Sequence, residues 1–253
     1  MKFRASAIVA VCLLSTPLAL HAQRGGRGAP AARAAARDAI AVDVTGYWVS
    51  VVTEDWKWRM VTPKKGVFDS LPLNAEGRRI GEAWDPAKDE AAGEQCRAYG
   101  AANVMRLPTR LHVTWQDANT LKVETDNGTQ TRIFHFDNTA PPAEPSWQGY
   151  SLAEWQYAGG GGRGATSRVG GDLKVQTTHL KPGYLRKNGA PYSDKAVVTE
   201  YYDVNALPNG DQFLTVTTKV EDPQYLRGPY ITTTDFKKLP TAAGWNPTPC
   251  SAK

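Results

Sequence analysis

The chain has 253 residues, with 30 Lys+Arg against 25 Asp+Glu and a formal net charge of +5. Residues 1–43 hold six of the bases (Lys2, Arg4, Arg24, Arg27, Arg33, Arg37) and two of the acids (Asp38, Asp43), leaving 24 bases and 23 acids in the remainder. A nearly neutral remainder of about 210 residues excludes the basic footprint of a nucleic-acid-binding domain and suffices for one barrel- or sandwich-sized domain.

Lys2 and Arg4, an apolar run from Ala5 to Leu20 and small residues around Ala22 predict a secretory signal peptide over residues 1–22. The run is short for a membrane span and is interrupted by Ser15 and Pro17, and Val11 before Cys12 is too large for a lipoprotein cleavage box. No integral membrane segment is expected after signal removal, and the location is expected to be periplasmic or secreted. Residues 23–42, rich in Gly, Ala and Arg, cannot bury enough apolar surface to offset their ordering entropy; they are expected to form a disordered tether before a single domain, 43–253.

Thr45–Val52 predicts a first strand and Asp55–Val61 its partner. Asn74 is a suitable N-cap for a short helix to Trp84, and Asp85-Pro86 starts another turn, so a helical insertion is expected over about 74–93. Two glycines, Gly77 and Gly81, weaken that helix, and packing must hold it. After Cys96 the pattern is β. Arg110–Gln116, Thr120–Thr125 and Thr129–Phe136 form a meander. Opposing Trp115 to Leu121, Val113 to Val123 and Leu111 to Thr125 puts the apolar residues on one face. Continuing the register to Ile133 opposite Leu121 places His135 on the apolar face; His112, Lys122, Glu124 and Arg132 then fall on the other. Pro141–Pro145 is a break, and Ser146–Tyr157 carries Trp147 and Trp155. Gly159–Gly164 reads as an exposed loop, because no Lys-Ser/Thr and no helix follow it.

Four further strands are expected at Asp172–His179, Lys195–Val204, Asp211–Val220 and Pro229–Lys237. Pairing Tyr202 with Leu214 and Val198 with Thr218 leaves Glu200 on an apolar face. The expected fold is all-β: an antiparallel up-and-down barrel with a short helical insertion. Cys96 and Cys250, the two cysteines beyond the signal, are expected to form a disulfide in an oxidising compartment.

Gly46-Tyr47-Trp48 resembles the Gly-x-Trp entry of lipocalins. Over about residues 46–237 the chain also resembles an uncharacterised family of secreted bacterial proteins. The likeness rests on Pro72-Leu73-Asn74-Ala75-Glu76-Gly77-Arg78, Asp85-Pro86, Cys96, Met105-Arg106, Trp147-Gln148-Gly149-Tyr150-Ser151, Trp155, Gly171-Asp172-Leu173, Thr177-Thr178, Pro191-Tyr192-Ser193, Thr199-Glu200 and Asp222-Pro223. The family's Trp-Glu-Gly-Asp run is altered here: Gln156 follows Trp155, and Tyr157–Gly170 intervene. These resemblances imply a lipocalin-like (calycin) barrel and export, and no reaction.

No Rossmann or P-loop pattern, Gly-x-Ser-x-Gly elbow or Cys-x-x-Cys is present, so no cofactor is expected. His112 faces away from His135, which speaks against a three-histidine metal site. Glu200 on an apolar face must be paired, hydrogen-bonded or neutral, which makes it the candidate acid or base, with His179 and His135 as its candidate partners. The bland alternative is a structural partner to a tyrosine or an arginine. Trp115, Trp147, Trp155, Tyr202 and Arg132 are candidate ligand-binding residues. The expected function is binding of a small, largely apolar molecule. The alternatives are a cofactor-independent isomerase or lyase in the same barrel, and a structural or protein-interaction module.

Overall fold

The computed structural model describes residues 34–53, 55–158 and 170–252. The expected signal peptide, residues 23–33 of the expected tether and the Gly159–Gly164 loop lie outside the described residues.

The first strand, β1 (Gly46–Val51), is followed by a single helical turn, α1 (Trp56–Arg59), and then by α2 (Ala75–Ala83) and α3 (Pro86–Ala91). The chain continues through β2 (Arg110–Trp115), β3 (Thr120–Thr125), β4 (Thr131–His135), β5 (Tyr150–Tyr157) and β6 (Gly171–Thr178). A small hairpin, β7 (Gly183–Arg186) and β8 (Ala190–Tyr192), precedes β9 (Val197–Ala206), β10 (Gln212–Glu221) and β11 (Tyr230–Leu239). Nine strands close a barrel in the order β1-β11-β10-β9-β6-β5-β4-β3-β2, with β1 paired to β11 on one edge and to β2 on the other. The fold is therefore an all-β barrel with a short helical insertion.

Two expected elements differ. Asp55–Val61 alternates Trp56, Trp58 and Met60 like a strand, but Asp55 takes a left-handed φ of 52°, and the chain turns away from the sheet into α1. The partners of β1 instead come from residues far along the chain. Ser146–Tyr157 contains β5, which pairs with β4 in parallel, Phe134 opposite Ser151. The other eight neighbouring pairs of the ring are antiparallel.

Alternation sends Trp48, Leu111, Val113, Leu121, Val123, Phe134, Leu173, Val175, Leu214, Val216 and Phe236 into the lumen, where all are buried. The lumen is a packed core. One end is closed by the residues just before β1. Ala36 N donates to Asn119 Oδ1 (2.9 Å), and Trp155 Nε1 donates to Ala36 O (2.9 Å). Residues 34–42 are thus packed against the barrel and not part of a free tether, because Ala36, Val42 and Val44 find apolar cover there.

The other end is capped by the insertion and the β7–β8 hairpin, with Phe68, Leu71, Leu73, Leu180, Leu185 and Tyr192 forming a second core. Asn74 Oδ1 caps α2 by accepting from Gly77 N (2.8 Å). The glycines that weaken α2 are what allow it to dock. A Cβ on Gly77 would lie 2.6 Å from Tyr225 O, and one on Gly81 would lie 2.5 Å from the Phe68 ring. Among the described residues no helix is long and apolar enough to cross a membrane.

Cys96 and Cys250 form a disulfide across 154 residues of sequence. It ties the C-terminal tail to the cap, where Ser251 N also donates to Tyr99 Oη (3.3 Å) and Thr129 Oγ1 donates to Thr248 O (2.9 Å). Peptide mapping without reductant should recover the Cys96–Cys250 pair. Cys96→Ser should lower stability by about 2–4 kcal/mol in urea titrations; an unchanged midpoint would show that the tail holds without its clip.

Candidate functional site

Glu200 lies inside the barrel, fully buried, and meets Arg132 side on: Nη1 donates to Oε1 (2.8 Å) and Nη2 to Oε2 (2.6 Å). Arg132 Nη2 also donates to Thr177 Oγ1 (3.2 Å), which shares a hydrogen bond with Ser151 Oγ (2.8 Å). Tyr202 Oη lies 3.4 Å from Arg132 Nη1. Burial first, and the Glu200 charge second, push the Tyr202 hydroxyl well above its ordinary pKa, so it stays protonated. Burial alone would lower the Arg132 pKa, but the charge and hydrogen bonds of Glu200 outweigh it and the net shift is upward. This is a bidentate ion pair sealed among apolar strands.

Arg132 is inside because the β3–β4 loop is one residue longer than expected. Residues 126–129 form the turn, with Gly128 (φ 81°) and Thr129 (φ 50°) both left-handed, so Val123 opposes Arg132 and Leu121 opposes Phe134. A one-residue shift turns the strand over. Arg132 and Phe134 therefore face the lumen, and His135 faces out. Across β9 and β10 the register differs by two residues, Tyr202 opposite Val216 and Glu200 opposite Thr218, which leaves the faces unchanged. The β2–β3 pairing is as expected, Trp115 opposite Leu121.

The remaining candidates do not converge. His135 stacks on Tyr150 from outside (ring centroids 5.2 Å apart). His179 follows the end of β6 with a φ of 54°, which breaks the alternation and leaves it exposed, edge-on to the same tyrosine at 6.5 Å. Neither histidine reaches Glu200. Trp115 and Trp155 gather with Phe136 (centroids 5.0–6.4 Å apart) at the end closed by residues 36–39. Trp147 stands apart, donating to Pro182 O (3.2 Å). His112 stacks on Tyr47 (4.1 Å) on the outer wall and contacts Glu124 (3.3 Å).

A different constellation lies in the cap. Trp58, Asn103, Arg106, Arg186, Lys187 and Tyr230 line a cavity of about 30 Å³, room for roughly two water-sized groups. The β7–β8 hairpin supplies Arg186 and Lys187, and α1 supplies Trp58. Arg186 is only 6% exposed; its Nη1 donates to Asp69 O (2.8 Å), and its guanidinium lies 4.9 Å from the Trp58 ring centroid. Among the described residues no carboxylate forms an ion pair with it. Arg106 is held by Asp55 (2.8 Å) and by Thr233 O (3.2 Å). An open groove of about 340 Å³ lies nearby, lined by Met60, Arg110 and Asp126. There the Asp126 carboxylate already accepts from Thr109 Oγ1 (2.9 Å), Arg110 N (2.7 Å) and Asn127 N (2.7 Å), which makes it a structural hub.

Arg186 and Trp58 are far apart in sequence, and neither sits in a motif. The only local sign was the base pair Arg186-Lys187 at a hairpin turn, Lys187-Asn188-Gly189. Comparison of the chain with protein-family models, with curated proteins and with solved structures finds no match in any of the three.

Glu200→Gln leaves Arg132 buried opposite a neutral partner, and should destabilise the fold by about 3–5 kcal/mol. The double variant Arg132→Met/Glu200→Leu should recover most of that loss, since an apolar pair needs no desolvation. Urea denaturation of the three proteins checks both statements; a Glu200→Gln protein as stable as the parent would mean that the pair does not form.

Proposed function

We propose that this protein binds a small molecule outside the cytoplasm, and that it takes the ligand's anionic group into the cap cavity lined by Trp58 and Arg186. The observation that carries this reading is Arg186 itself, a buried cation without a carboxylate partner among the described residues. A charge withdrawn from water is costly unless it is compensated. A guanidinium lying over an indole is a geometry that receives carboxylates and phosphates. Leu107, Leu185 and Tyr230 complete the wall, and the small volume suits a compact anionic head with the rest of the ligand outside the cavity.

The filled lumen favours the cap over the inside of the barrel for binding, and the sealing of the Arg132–Glu200 pair among apolar strands favours a binder over an enzyme that would use Glu200. The disulfide favours an oxidising compartment, in line with the signal-like N-terminus. The closed barrel is compatible with the calycin-like resemblance.

Inorganic phosphate is the simplest probe. At a concentration ten times its Kd it should stabilise the protein by about 1.4 kcal/mol, seen as a raised melting temperature against chloride at equal ionic strength. Arg186→Gln should abolish that response. No response in the parent, or an equal response in both proteins, would overturn the reading.

A further inference from the structure

We infer that the segment around α1, residues 55–65, is a docking face for an anionic membrane surface. It reads Asp-Trp-Lys-Trp-Arg-Met-Val-Thr-Pro-Lys-Lys, with three exposed lysines, one buried arginine and one acid, and aromatic and aliphatic residues between them. Trp56 (61% exposed), Met60 (59%) and Val61 (58%) stand out into solvent. Three of the seven large apolar side chains exposed among the described residues thus fall within six positions.

The single turn of α1 sorts its residues by side. Trp58 and Arg59 turn toward the body: Arg59 Nε donates to Arg106 O (3.0 Å) and Nη1 to Val51 O (3.0 Å), and Trp58 lines the cap cavity. Trp56 and Met60, four positions apart, share the opposite side. Lys57, Lys64 and Lys65 are exposed in the same segment, Lys57 with its ammonium 4.6 Å from the Trp58 ring centroid. The segment is therefore pinned from behind by Arg59 and presents exposed apolar side chains with exposed lysines on either side of Met60 and Val61 in sequence.

That pattern suits lipid better than protein. A stable protein interface buries roughly 800 Å² on each partner, whereas this tip is three side chains wide. Tryptophan at the headgroup level, aliphatic groups just below it and lysines over anionic headgroups are what an interfacial contact requires. The inference rests on side chains other than those of the cap cavity, and it stands or falls without it.

The test is co-sedimentation of the mature protein with phosphatidylcholine vesicles, with and without phosphatidylglycerol. Binding should require phosphatidylglycerol and weaken with added salt. Trp56→Ser/Met60→Ser should reduce it by roughly tenfold or more. Lys57→Gln/Lys64→Gln/Lys65→Gln should do the same and remove the salt dependence. Because all five positions are exposed, both variants should keep the parent's melting temperature. Arg186→Gln should bind vesicles as the parent does, which separates this face from the cavity. No vesicle binding, equal binding to neutral vesicles, or full binding by the Trp56/Met60 variant would each overturn the inference.

Discussion

The structure depends on β1 being hydrogen-bonded along both edges, Val49 facing Lys237 of β11 on one side and Arg110 of β2 on the other. Closure leaves no edge of the nine-stranded sheet open and assigns each of its residues to lumen or wall. The inward set is bulky. Trp48, Leu121, Phe134 and Phe236 are all buried to less than 2% exposure, and together with Arg132 and Glu200 they fill the space a ligand would need. The residues before β1 and the insertion after it then cover the two ends.

The ion pair in the lumen shows how much the inside of a barrel constrains. Arg132, Thr177, Glu200 and Tyr202 come from three strands, and each polar group finds its partner only when all three are in register. Arg132 Nε remains without a partner among them. Such a network contributes little net stability over apolar packing, but it penalises any slip of β4 against β9. Its worth is in specifying the arrangement.

Alternation made much of the barrel legible in advance. Trp115, Val113 and Leu111 could oppose Leu121, Val123 and Thr125 in only one apolar register, and that is the register found. Glu200 was legible as a residue in need of a partner, because Val198 and Tyr202 flank it on one face. Its partner was not, since the left-handed Thr129 lengthens the turn by a residue that no glycine signals. Asp55 hid α1 in the same way, and the Trp56, Trp58, Met60 alternation read as a strand. The cap cavity was out of reach for another reason: it joins a single helical turn, a short hairpin and the start of β11, whose mutual contacts follow no period, so nothing in the spacing ties Trp58 to Arg186.

The pairing of first strand with last has a consequence for how the molecule is made. No partial chain can close this ring. Until residues 230–239 are available, β1 and β10 each have an unmet edge and the lumen is open to water. Cys96 likewise waits for Cys250, 154 residues further along. Contacts this distant in sequence are slow to find one another. The barrel therefore commits to its final shape only when β11 and Cys250 have both arrived.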